Sequence, residues 1–277
     1  MRRVPFVALN AGGAVAFIAP FILSFKPVTN PSEARASDAP WLMALLVPLL
    51  IGLAISELSK GRLDSKAIAL LGVLSGCAAL LRLPLSFAGA NLFFFLPIVG
   101  GFVFGSTFGF LLGSLGMGAS ALITGGIGPW LPFQMWAAGW VGAGAGSLRY
   151  IGEKMRPRIA VISLSVYAYL AAFFFGAAMD LYFWPVIASG DGAVAWKPGS
   201  GLSQAIAHFK AFYVLTSLAW DSVGAVANVV MVLSLGGPVI VLFRRYRKRF
   251  SFEAPDASVT PTVTDASGAT ATAIATT

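Results

Sequence analysis

The chain is short of charge, cysteine and histidine, and each shortage closes off a class of protein. Charged residues fill 11% of its 277 positions, whereas soluble domains carry about 25%. From Leu83 to Leu148 there is no Asp, Glu, Lys, Arg or His, a run far too long for one element of a soluble core. Cys77 is the single cysteine, so no internal disulfide and no cysteine-based metal site is available. It falls within an apolar span and reads as a small buried hydrophobe. His208 is the single histidine. A Ser-His-Asp triad, a two-histidine zinc site and a Glu-Glu-His intramembrane protease all need groups that are missing or misplaced. No G-x-x-x-x-G-K-[ST] loop occurs, so the chain cannot itself cradle ATP in that way. No cofactor and no resident metal are expected.

What is present is apolar: 57% of residues are hydrophobic and the mean hydropathy is +0.82. The reading is an all-α integral membrane protein. Apolar stretches predict eight spans, at 4–25, 41–58, 66–82, 92–105, 107–124, 132–148, 159–183 and 212–243. The fourth and fifth are separated only around Gly105. The last is longer than one crossing needs, and its first part, 211–220, is expected at the membrane surface or strongly tilted. The first stretch follows Met-Arg-Arg and precedes Ala34-Arg35-Ala36, as a signal peptide would. It is long enough to span, and we expect an uncleaved first helix.

The net charge of +8 does not point to nucleic acid, because the cations sit in short clusters between apolar spans. With eight spans and a cytoplasmic N-terminus, 14 of the 19 Lys and Arg fall inside, including the cluster from Arg244 to Arg249. Lys26, Arg35, Arg82, Lys197 and Lys210 fall outside. The excess of inside cations favours an even number of spans, with both termini cytoplasmic. The segment 187–208 is the longest outward connection. The tail from Glu253 is rich in Ser, Thr, Ala and Pro and is expected to be disordered.

Four features carry the functional expectations. Small residues recur at four-residue spacing through Gly101, Gly105, Gly109 and Gly113, which suits close helix packing inside the bundle. Gly72 and Gly76, with Ser75 and Ala79, line one side of the third span. There a docking face for a partner is as reasonable as internal packing. Asp180 sits near the outer end of the seventh span. Asp221 and Asn228, seven residues apart, share one face of the eighth. Asp221 is either a helix N-cap or a polar contact at the edge of an outward-facing pocket.

The fourth feature is TGGIGPWLPFQMWAAGWVGAGAG, residues 124–146. The glycines and prolines of its first half predict a loop at 124–131, and Pro132 suits the start of a short helix reaching Leu148. Roughly 25 Å of helix falls short of the roughly 30 Å hydrocarbon core. The loop is therefore expected to dip into the bundle and turn backbone N–H groups toward a cavity lined by Trp130, Gln134 and Trp136. An interfacial aromatic belt is the plain alternative. The later Gly142-Ala-Gly-Ala-Gly146 follows a membrane helix rather than a strand, so it is no dinucleotide fingerprint.

These segments resemble the substrate-binding S components of energy-coupling factor (ECF) vitamin transporters. The likeness rests on Gly128-Pro-x-x-Pro-Phe-Gln134, on FGFLLGSLGMGASALIT before it, and on LDSKAIALLGVLSGCAALLR and SLAWDSVGAVANVVMVL. It covers Leu63 to Phe243. It implies a six-helix core at 63–249, preceded by two extra helices within 1–62 and followed by a tail at 250–277. It further implies capture of a vitamin-like small molecule from outside, at the plasma membrane of a prokaryote, with the cobalamin-type members the nearest in impression. The chain would be a non-enzymatic subunit that topples when docked on a transmembrane coupling protein with two ATP-hydrolysing subunits. Gly72, Ser75, Gly76 and Ala79 would form the coupling face. Gly126, Gly128, Pro129, Trp130, Pro132, Gln134, Trp184, Trp220, Asp221 and Asn228 would form the substrate site. The rival reading is a stand-alone secondary transporter or channel. It calls for an inverted repeat or a polar relay through the membrane, and neither is found.

Overall fold

The computed structural model describes residues 4–22, 44–53, 55–56, 65–83, 91–152, 155–188, 192–197, 200–250, 263–264 and 270–271. Its body is all-helical. In chain order the helices are α1 (Val4–Ile22), α2 (Ala44–Leu53), α3 (Ser65–Leu81), α4 (Phe95–Phe104), α5 (Ser106–Thr124) and α6 (Leu131–Ser147). They continue with α7 (Arg149–Gly152), α8 (Pro157–Ile187), α9 (Leu202–Thr216) and α10 (Leu218–Phe250). Within the tail, the described residues form one small antiparallel pairing of Val263–Thr264 with Thr270–Ala271. The expected disorder of the remaining tail, the 62/63 boundary and the Ala34-Arg35-Ala36 stretch lie outside the described residues.

Glycine decides the centre of the bundle. Gly105 has φ 103°, a region that only glycine enters at little cost, and there the chain reverses from α4 into α5. A Cβ on Gly101 or Gly109 would run into the Gly142 carbonyl. One on Gly113 would strike the Ala138 carbonyl, and one on Gly146 the Ser106 backbone. Helices α4, α5 and α6 thus meet backbone to backbone, as small-x-x-x-small faces allow. The packing role expected for Gly101–Gly113 and for the second half of the 124–146 stretch is what the structure has. Ser114, fully buried, adds a 2.9 Å bond from its hydroxyl to the Met135 carbonyl across α5 and α6.

Around this centre, α3 lies on α5, while α8 and α10 pair with each other and close against α6 and α4. Three helices are long and apolar enough to cross a membrane: Ser106–Thr124, Arg158–Pro185 and Leu218–Lys248. On α8, Ile162, Val166, Leu170 and Phe174 repeat every four residues as an exposed apolar stripe, a face suited to lipid. Over their described residues, Phe6–Ile18, Ala44–Leu53, Lys66–Leu81 and Phe95–Phe104 are apolar but shorter. The span expected at 92–105 is therefore corrected. With ten residues, α4 covers about 15 Å, half of a hydrocarbon core, because Gly105 turns it back.

The span expected at 212–243 is also corrected. The chain breaks at Ser217, so 202–216 is a helix of its own and the long helix starts at Leu218. In α9 only Phe212 is buried.

The two N-terminal helices join the same core. In α2, Leu46, Leu50 and Leu53 are buried, one narrow stripe on an otherwise open helix. Helix α1 crosses α6, where Gly13 leaves room for the Trp136 indole. Trp136 is 1% exposed and donates from Nε1 to the Leu9 carbonyl at 3.3 Å. Phe17 stands edge-on to Phe133 with ring centres 4.9 Å apart. Trp136 therefore faces α1 rather than a cavity, which corrects its expected place in a cavity wall.

Candidate functional site

Two groups of expected site residues come together at one end of the bundle, where α5 and α8 end and α6 and α10 begin. The first is the glycine-rich turn. Gly125 adopts the left-handed conformation at φ 67°, and the Gly126 N–H reaches back to the Ala121 carbonyl at 3.0 Å, a Schellman-type close of α5. The Leu131 N–H bonds the Gly128 carbonyl at 3.0 Å, and the Trp130 indole folds over Gly128 to donate to the Gly126 carbonyl at 3.3 Å. Gly125 and Ile127 are exposed. The expectation of a loop dipping into the bundle is thus corrected. The turn satisfies these N–H groups by itself and stays at the rim.

From that rim an aromatic row leads inward. Trp130 lies 6.5 Å from Phe183, Phe183 is edge-on to Tyr182 at 4.9 Å, and Tyr182 lies 4.5 Å from Phe133. Gly126, Gly128, Pro129 and Gln134 are half-buried beside it, and Pro132 is buried. The first half of the 124–146 stretch therefore forms the turn at this end of the bundle and supplies Trp130 and Phe133 to the row, which α8 completes with Tyr182 and Phe183.

The second group is polar. On α8, Gly176 and Asp180 are one turn apart; Ser217 and Asp221 are one turn apart at the start of α10. Ser217 donates to Asp180 Oδ1 at 2.7 Å, and Tyr213 on α9 donates to Asp221 Oδ2 at 2.8 Å. The Asp221 carboxylate lies so close to Gly176 that a Cβ there would collide with it. Burial first, and then the bond to Asp221, raise the Tyr213 pKa above the ordinary phenol value, so this hydroxyl stays a donor. Asp221 is not an N-cap. The break places Ser217 in that position, and the Asp221 carboxylate is taken by Tyr213. Asn228 is 2% exposed, with an Oδ1 that has no hydrogen-bond partner. It sits two turns deeper on the Asp221 face.

Two expected site residues do not join either group. Trp184 is 2% exposed and donates to the Val194 carbonyl at 2.7 Å, with Trp196 and Phe209 packed on it. It fastens the connection between α8 and α9. Trp220 is 56% exposed on the outside of α10. The structure thus places both tryptophans apart from the Trp130 turn. Missing from the expected set were Asp180, Tyr213, Ser217 and Phe183. For Asp180 the signal was available, an ionisable residue in an apolar span; for Tyr213 and Ser217 there was none, because the break at Ser217 sets their positions, and for Phe183 none, because its place in the row rests on Trp130 and Tyr182.

Helix α3 divides the expected coupling residues. Ser75 and Ala79 are buried, whereas Gly72 is exposed and a Cβ on either Gly72 or Gly76 would meet nothing within 4 Å. The four do not share one surface. Cys77 lies on the open face, which corrects its reading as a buried hydrophobe. At the opposite end of the bundle, arginines cap helix C-termini. Arg247 donates to the Val103 carbonyl at 2.8 Å, and Arg149 to that of Phe104 at 3.4 Å.

Comparison with known proteins adds no relative. No family model, no curated protein and no solved structure matches the chain.

Proposed function

We propose that the chain is the substrate-binding membrane subunit of an ATP-driven importer of the ECF type, taking a vitamin or related micronutrient from outside. In this reading the rim of Trp130 and the Asp180–Asp221 group face outward. The arginine-capped end and both termini face the cytoplasm of a prokaryotic cell, and the chain crosses the plasma membrane several times. The observation that carries the reading is the collection of an aromatic row and two carboxylates at one end of an otherwise apolar bundle. Polar groups are costly there, and a site for a ring-bearing small molecule gives them a use. The open Gly72–Gly76 face of α3 supports docking on a transmembrane coupling protein that carries two ATPases.

Expressed with such partners, the chain should co-purify with them and take up substrate only while ATP is hydrolysed. Uptake at full rate by the chain alone in vesicles would instead establish the stand-alone transporter. Within the assembly, Gly72→Leu should break co-purification while leaving the melting temperature unchanged, since its new side chain meets open space. Trp130→Ala should weaken substrate binding at least about tenfold, about 1.4 kcal/mol, as followed by tryptophan fluorescence or calorimetry. An unchanged affinity would reduce Trp130 to a membrane-interface ring.

A further inference from the structure

We propose that Asp180 and Asp221 are the anionic half of the binding site and recognise a positively charged nitrogen on a small organic substrate. The inference rests on the importer reading and names the substrate class of that same site.

The geometry sets two carboxylates about one helical turn apart, roughly 6 Å, because Ser217 bonds Asp180 while Asp221 lies over Gly176. Among the described residues no Lys, Arg or His side chain pairs with either carboxylate; their side-chain partners there are the Ser217 and Tyr213 hydroxyls. Each hydroxyl has a single O–H, and each is already used. What remains on offer is acceptor capacity. Asp180 is 8% exposed, and its Oδ2 is buried with no hydrogen-bond partner.

The buried Asp180 Oδ2 without a donor is costly, and two neighbouring carboxylates in an apolar bundle repel one another. A protonated amine or another cationic nitrogen with N–H groups meets both demands, since it brings the charge and the donors together. Asn228 Oδ1, buried and unpartnered on the same face of α10, lies about 10 Å deeper. It offers a further acceptor to a longer ligand. The rings of Trp130 and Phe183 suit the flat or cationic remainder of such a molecule.

The test uses the full chain in detergent or lipid nanodiscs and follows its melting temperature, because a ligand that binds only the folded state raises it. Pyridoxamine, whose protonated amine carries N–H groups on the charge, is the cationic probe. Riboflavin and cobalamin are the probes without such a nitrogen. Sodium, potassium and magnesium chloride alone separate an inorganic cation from an organic one.

The expected result is stabilisation by the cationic probe, weakened at least about tenfold in Asp180→Asn and in Asp221→Asn. Both variants keep the shape of the side chain, and their melting temperatures without ligand report whether they fold. Tyr213→Phe, which leaves both carboxylates in place, should retain binding of the cation. Stabilisation by a probe lacking the charge, by the salts alone, or by none of the probes would overturn the proposal. So would equal binding by the folded Asn variants. None of these results touches co-purification with a coupling protein and ATPases, which decides the importer reading separately.

Discussion

Gly142→Leu should strongly destabilise the bundle. A side chain at Gly142 would enter the space of the Gly109 carbonyl and Cα, and Gly101 on α4 packs against the same carbonyl of residue 142. Both neighbours are backbone, so no rotamer change can make room. Overpacking of a tight interior costs about 1–3 kcal/mol where side chains can yield, and more where they cannot. The loss should be about 3 kcal/mol or more, which corresponds to a fall of roughly 6–12 °C in melting temperature for a chain of this size. In detergent the variant should lose its monodisperse peak on size exclusion. Gly72→Leu is the matching control, because the same added volume there meets nothing. If both variants melt alike, close packing of α4, α5 and α6 is not what holds the centre together.

Trp184→Ala should release the connection between α8 and α9. The indole is nearly inaccessible, bonds the Val194 carbonyl, and carries Trp196 and Phe209 on its faces. Replacing a buried tryptophan by alanine costs about 3–5 kcal/mol. Trp184→Phe keeps most of the packing and loses mainly one hydrogen bond, about 1 kcal/mol. Helix α9 ends at Ser217, which bonds Asp180, so loosening it should displace that carboxylate and weaken substrate binding as a second effect. Limited proteolysis within 188–216, followed with temperature, separates the two roles. Rapid cleavage in Trp184→Ala fits a fastener. A normal melting temperature with lost binding would put Trp184 in the substrate site instead.

Much of the bundle could be read before any coordinates. Glycines at four-residue spacing already meant close helix contact, since in lipid the approach of backbones, not the removal of apolar surface from water, brings helices together. The shortage of charge already meant helices apolar enough to cross a membrane. The 124–146 stretch is harder. Its second half packs as expected, whereas its first half makes a self-bonded turn at the rim. One left-handed residue, Gly125, decides that outcome, and composition cannot say which of three glycines takes that conformation.

Other features depended on partners far away in sequence. Gly72 and Ser75 belong to the same small-residue pattern, and only the position of α5 separates an open face from a buried one. Trp184 and Trp220 are the same residue type in similar apolar settings; Trp196 and Phe209 cover the first, while the second lies on the open side of the helix that starts after the break at Ser217. That break also turns a hydroxyl toward Asp180 and sets Asp221 against Gly176. Sequence alone determined an apolar helical chain, its tight glycine contacts and the residues able to carry polarity. The tertiary structure decided which polar groups meet, because a carboxylate pair is made by two helices crossing, and no local spacing encodes where they cross.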